Sequence, residues 1–572
     1  MNEKMKHLLN QQSAVIALIG LWLISLCLVN IVGEFALIDD WAYAKSVRDL
    51  SEFGVFKIYD RIAITFISNL LWGSLFTKVF GFSFFILRIS SVVSGGILIY
   101  TFYQWLGLLN TNKKLQLFCT ALLAFNPLFY VLSTTFMTDI FFLMNACISL
   151  YFFTSYLKNE GLKLLFLGFL FALIAILSRQ VGMVIPIAFL FVSFKKSISL
   201  KHRLYTYIGI SISIILLVLY YVFLSLQKST PSHYTMHPNE IYHQLKGINK
   251  EIVLRWFFYL YTAIISLSIL LLPLGLFILS QGKIKPKKAL IILCSCFILF
   301  VLINLFRNTS FPFNGQIIND YGIGGYFFFE PYSRVSQMAF DLPTWFNIGL
   351  ISTSVSILFY LISDQFHLML KKFKESRLIQ FIFWTALLYY PCYGFIYVFD
   401  RYLLLHFILL VVLVLLLFND SLKTVSKSHL GYVSLVIFTF FTVVGTRDYF
   451  EYNRVKTQAL NELIDDNVRP EQIDGGMEFN AWHGYEQDFF KGNVGKDWWC
   501  VKEDDYLISI DKDVNGYIVY KEYPYSTWLG LKERKLRILK KKPSTSEYNK
   551  EHEHRPSNQF FYPNCNSGAN MK

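Results

Sequence analysis

The sequence has 572 residues, of which 54% are hydrophobic and 18% aromatic, and its mean hydropathy is +0.44. Only 16% are charged, yet 53 Lys and Arg against 39 Asp and Glu leave a net charge of +14. A soluble domain does not carry so apolar a chain, and the basic surplus lacks the aromatic-basic module of a nucleic-acid binder. The composition therefore excludes both classes and leaves a polytopic membrane protein.

The N-terminal segment MNEKMKHLLNQQ is followed by an apolar run over 14–32. That run is longer than the core of a secretory signal and has no small-residue cleavage site, so it reads as a retained first span. Along the rest of the chain, runs of roughly 20 apolar residues predict about thirteen transmembrane helices. Alternating sides from a cytoplasmic N-terminus puts every short basic connection inside: Lys113-Lys114, Lys158 with Lys163, Lys195-Lys196 with Lys201 and Arg203, 283–288, 371–377, and Lys423 with Lys427. The outer face receives what is long or polar, namely 33–88, 227–256, 307–344 and everything after 445. In the first of these loops, residues 41–52 have a helical rhythm and 62–80 are apolar, which predicts two helices lying along the interface.

After about residue 447 the chain turns polar. "VKTQALNELIDDNVRPEQIDGG" reads as a helix and a turn, and "DDYLISI", "GYIVYKEYPYSTWL" and "RKLRILKKK" read as strands. The expected architecture is mainly α: a transmembrane domain over 1–446, then a small extracytoplasmic α/β domain over 447–572. Six of the eight cysteines lie in apolar spans and behave as small hydrophobes. Cys500 and Cys565 lie in the outer domain, where an oxidising compartment could join them.

Charged residues near the spans fall on one side. Asp39 and Asp40, in "FALIDDWAYAKSVRDL", follow the first span; Arg88 opens the second. Asp139, in "STTFMTDIFF", sits at an outer turn, as do Arg179 in "ILSRQVGMVIP" and Asp400-Arg401-Tyr402 in "YVFDRYLLLH". Charges at that depth face a cavity or pair with one another, an arrangement suited to an anionic lipid headgroup. A blander reading stands beside it, in which Asp39 and Asp139 cap helices and Arg179 and Arg401 snorkel to the interface. Capping leaves the second carboxylate, Asp40, without a purpose.

In this ordered series the chain resembles the GT-C class of integral membrane glycosyltransferases. Specifically, it looks like the group related to dolichyl-phosphate-mannose protein mannosyltransferases and to bacterial aminoarabinose transferases, glycosyltransferase family 39-like. The resemblance rests on the acid pair, on "LFTKVFGFSFFILRISSV" with Arg88, on "NPLFYVLSTTFMTDIFF" with Asp139, on "LSRQVG" and on "FDRYLLLH", and covers about residues 14–446. It implies inverting transfer of a sugar from a polyprenyl-phosphate donor to a lipid, glycan or protein acceptor on the outer face of a bacterial plasma (inner) membrane. By motif, Asp39 is the catalytic base, with Asp40 orienting the loop. Arg401, Arg179 and Arg88 meet the donor phosphate, with Tyr402 as a further hydrogen-bond donor.

Some members of the class hold a divalent metal ion beside the acids. Here Asp139 and, from the loop "PSHYTMHPNEIYHQ", His237 are the candidate ligands, although Pro238 breaks any helical register there. The rival reading is a transporter or flippase of lipid-linked sugars. Such proteins show repeated halves and charge near the bilayer midplane, whereas these charges gather at one face and the two halves do not match.

Overall fold

The structure, a computed structural model, describes residues 3–59, 62–194, 200–227, 250–281, 284–307, 316–319, 322–324, 344–391, 398–418, 428–484 and 504–543. Its helices are α1 (Glu3–Val29), α2 (Asp40–Glu52), α3 (Ile67–Phe80), α4 (Phe84–Leu108), α5 (Lys113–Ala124), α6 (Pro127–Leu132), α7 (Thr138–Asn159), α8 (Leu162–Ile176) and α9 (Val184–Ser193). They continue as α10 (Leu200–Leu226), α11 (Lys250–Leu270), α12 (Leu272–Leu279), α13 (Pro286–Arg307), α14 (Thr344–Glu375), α15 (Arg377–Tyr389), α16 (Leu403–Phe418), α17 (His429–Asp465) and α18 (Met477–Gly484). Among the described residues nine helices are long and apolar enough to cross a membrane, and three further apolar helices are shorter. The protein is a mainly α, polytopic integral membrane protein. His237, Cys500 and Cys565 lie outside the described residues.

The two ends of the bundle differ in charge. Helix α7 starts at Thr138 and Asp139 and ends 22 residues later beside Lys158, a rise of about 33 Å that matches a hydrocarbon core of about 30 Å. At the Lys158 end, its ammonium reaches the carbonyl of Leu108, Lys372 donates to Leu417 O at 2.8 Å, and Asp364 pairs with Lys285 at 2.8 Å. Lys158, Lys285, Lys372 and Arg377, which pairs with Glu160, thus share the end opposite Asp139.

Helix contacts inside lipid cannot draw on the hydrophobic effect and depend on close backbone approach. The α7–α8 pair shows this: a Cβ on Gly168 would lie 2.8 Å from the ring of Phe153, and Ser149 Oγ donates to Gly168 O at 2.8 Å. Between α4 and α7 the chain breaks at Asn126-Pro127. The Asn126 side chain there accepts from the amides of Leu128 and Phe129, and Pro127 opens α6.

Helices α2 and α3 form in the segment between α1 and α4, and α3, at 14 residues, is too short to cross. Between α13 and α14, the strands β1 (Ile318–Asn319) and β2 (Gly322–Ile323) make a small antiparallel hairpin. Helix α17 runs without interruption for 37 residues out of the span. Against its far half packs a four-stranded sheet of β3 (Ile473–Asp474), β4 (Tyr506–Ile510), β5 (Tyr517–Thr527) and β6 (Lys532–Lys541), in the order β3-β4-β6-β5. Leu460 and Leu463 of α17 meet Ile508, Ile510, Leu536 and Ile538 in a separate core.

Candidate active site

Four of the charged residues singled out by their position near span ends come together. Arg401 Nη2 lies 3.2 Å from Asp39 Oδ2, and Arg401 Nη1 lies 3.9 Å from Asp139 Oδ2. Arg179 holds Asp139 through both guanidinium branches, at 3.0 and 3.1 Å, and its Nε donates to Thr138 Oγ1 at 2.8 Å. The side chains of Asp139 and Arg401 are 3% and 6% exposed, while Asp39 keeps 23%. The order is acid, guanidinium, acid, guanidinium, with two charges of each sign. Such alternation is what lets charges persist at this depth. Tyr402 lies beside both cations, its ring 5.1 Å from the guanidinium of Arg179 and 5.3 Å from that of Arg401.

Local backbone aims these groups. Asp39 stands at the N-cap of α2 but makes no side-chain capping bond, so its carboxylate is turned to the cluster. Asp139 likewise lies inside the first turn of α7, whose cap position is Met137. Ile38, ahead of the acid pair, has φ +58° and is fully buried. A β-branched residue in the left-handed region costs about 1–3 kcal/mol and persists only where packing overrides it. The strain sits at the residue that sets the direction of Asp39.

Asp40 and Arg88 do not join the cluster. Asp40 is wholly buried, and its carboxyl accepts from Leu37 N at 2.6 Å and Phe136 N at 3.4 Å, tying the loop after α1 to the turn before α7. Burial pushes its pKa from 3.8 up to about 7, against the pull of Arg88. Arg88, also fully buried, spends its guanidinium on the carbonyls of Ile31, Gly33 and Phe35 and lies against the Phe35 ring. Its charge is satisfied by the backbone of the loop that carries the acids, so it braces that loop.

Two participants, Tyr43 and Gln316, were not singled out in the sequence, and a third, Asp400, was placed at the outer turn without a role. Tyr43, four residues after Asp39, lies on the first turn of α2 among Arg179, Arg401 and Asp39; burial raises its hydroxyl above 10.0, and the two guanidinium groups oppose the rise. Helical spacing from the acid pair would have found it. Asp400 turns away from the cations and accepts Ile317 N at 3.0 Å and Ile318 N at 2.8 Å, which seats the β1–β2 hairpin. The hairpin delivers Gln316, whose Nε2 donates to Asp39 Oδ2 at 3.1 Å. Gln316 is 1% exposed and comes from a long loop with no periodicity to mark it.

Of the two candidate ligands for a divalent cation, His237 lies outside the described residues. Asp139 faces two guanidinium groups, and among the described residues no three His, Cys, Asp or Glu side chains gather as ligands.

Residues 70–221 match the family model of dolichyl-phosphate-mannose-protein mannosyltransferase. No curated protein sequence matches the chain. Among solved structures it is similar to ArnT from Cupriavidus metallidurans in the apo state, at 12% identity over 94% of this chain and 98% of that one, with a TM-score of 0.41. The same protein bound to undecaprenyl phosphate aligns at 13% identity over 93% of this chain and 98% of that one, with a TM-score of 0.39. The GT-C mannosyltransferase resemblance read from the motifs therefore stands on the family model, over the segment that carries Arg88, Asp139 and Arg179.

Proposed function

We propose that the protein is a glycosyltransferase that moves a sugar from a polyprenyl-phosphate donor to an acceptor at the outer face of a bacterial plasma membrane, with Asp39 as the general base. The observation that carries this reading is the state of the Asp39 carboxylate. Its Oδ2 is held by Arg401 and Gln316, and among the described residues Oδ1 has no hydrogen-bond partner in a side chain that stays 23% exposed. One oxygen is fixed and the other is open to a ligand.

The chemistry follows from that geometry. The acceptor hydroxyl gives its proton to Asp39 as its oxygen bonds to the anomeric carbon, and the bond from that carbon to the lipid phosphate oxygen breaks from the opposite face. The phosphate leaves with the electron pair and needs cationic donors; a planar guanidinium provides two parallel N–H groups for it. Arg401 and Arg179 are those donors, with Tyr402 between them. The match of 70–221 to a mannosyltransferase family supports the reaction class.

The test is mass spectrometry of envelope glycolipids and glycoproteins from cells with and without the chain, followed by complementation with Asp39→Asn. One sugar is expected to disappear with the chain. Asp39→Asn keeps the size of the side chain and leaves it unable to take the proton, so transfer should fall roughly 10²–10⁴-fold at equal membrane abundance. Near-normal transfer by that variant would overturn the assignment of the base.

A further inference from the structure

Strand β5 descends along the outer half of α17. Lys521 and Tyr523 pair with Glu462, the Tyr525 ring lies 6.2 Å from that of Tyr452, and the backbone amides of Trp528 and Leu529 donate to the two oxygens of Asp448 at 2.9 and 2.8 Å. Contacts made later along the strand thus fall earlier along the helix, nearer its membrane half. Arg447 completes the attachment: it donates to Ser526 O at 2.7 Å and lies 4.4 Å from the Trp528 ring.

The level at which the hairpin turns can be read from α17. Its exposed apolar side chains Val433, Val436, Ile437 and Phe440 mark the lipid-facing stretch, and the run ends at Val444. Asp448 lies four residues on, about 6 Å along the axis. Each interfacial layer of a bilayer is about 5–8 Å deep, the difference between its total and hydrocarbon thickness. The turn therefore falls within that layer.

Its composition is unusual for a turn in water. Between Thr527 and Lys532 the loop is Trp-Leu-Gly-Leu, with Trp528 54% and Leu531 91% exposed. Leu531 has φ +48°, a conformation for which glycine or asparagine is the usual choice. A large apolar residue there adds strain and exposes area, and both make sense if the side chain enters the acyl boundary. Indole rings favour the headgroup level, and Lys532 and Arg534 follow on the next strand.

We infer that the β5–β6 turn is a membrane-interface anchor: Trp528 lies at the headgroup level of the bilayer that the protein itself spans, and Leu531 dips into its acyl boundary. The full chain in nanodiscs, made with ordinary or with acyl-brominated phosphatidylcholine, tests this. The difference in tryptophan emission between wild type and Trp528→Phe isolates the one ring. That difference should be blue-shifted and lost in brominated lipid, and Leu531→Asp should restore it. A difference signal that brominated lipid leaves intact while aqueous iodide removes it would overturn the inference. Protection from both quenchers, varying with the number of chains per disc, would overturn it in favour of a second copy of the chain.

Discussion

Asp39 and Asp40 share one peptide bond, and the chain divides their roles by direction. Asp39 points at the Arg401 guanidinium and the Gln316 amide and stays 23% exposed, while Asp40 points at two backbone amides in a site with no exposure. The second arrangement has a consequence for pH. With a folded pKa of about 7 against 3.8, Asp40 holds its proton more tightly in the folded state across that window. Stability is therefore fully present below about pH 4 and falls as pH rises toward 7. Purified wild type should unfold at a lower temperature at pH 7.5 than at pH 5, and Asp40→Asn, which has no proton to lose, should show a flatter profile. An unchanged slope in the variant would mean the carboxyl titrates normally. Asp139, Arg179 and Arg401 were legible because an unpaired charge at a span end is costly, so sequence alone says that each must find a partner. The partner's identity is not written locally, which is why Arg88 carries the same signal and yet answers to backbone carbonyls.

At the scale of elements, the β1–β2 hairpin is the device that brings Gln316 onto Asp39. It is held by Asp400 from below and by the close fit of Gly324 to α17. Gly324 has φ +93°, and a Cβ there would lie 2.0 Å from the Tyr449 ring. Gly324→Ala should displace the hairpin and lower transfer on the order of 10²-fold, the typical effect of about 1 Å of misplacement, while the bundle stays folded. Asp400→Ala, which strands the amides of Ile317 and Ile318, should act in the same direction. Transfer assays on membranes with matched amounts of protein would check both, and wild-type rates in either would make the hairpin a bystander. Strand β6 was legible because its apolar residues stand among exposed Lys and Arg, whereas β4 is a short apolar run buried on both faces, Ile508 and Ile510 in one core and Leu507 in another. Neither the strand order β3-β4-β6-β5 nor the hairpin was legible, since pairing across distant segments is decided by packing, and two-residue strands have no period.

For the whole molecule, the shift to polar composition after Gly445 marks a change of surroundings with no break in the backbone. Helix α17 passes through it intact, buried among helices at one end and under a sheet at the other. Its 37 residues make a rod about 55 Å long with no joint between membrane and sheet. Such a rod fixes azimuth as well as height. One residue added between Thr446 and Arg447 would turn the sheet by about 100°, carrying Trp482 away from Lys45, Arg48 and Phe84, which it touches. Seven added residues complete nearly two turns and return the sheet to its heading, but about 10 Å farther from the bilayer. The single insertion should therefore put the sheet out of phase with the loop that carries Asp39. The sevenfold one should restore phase while lifting the Trp528 turn clear of lipid, and bromolipid quenching would read the lift.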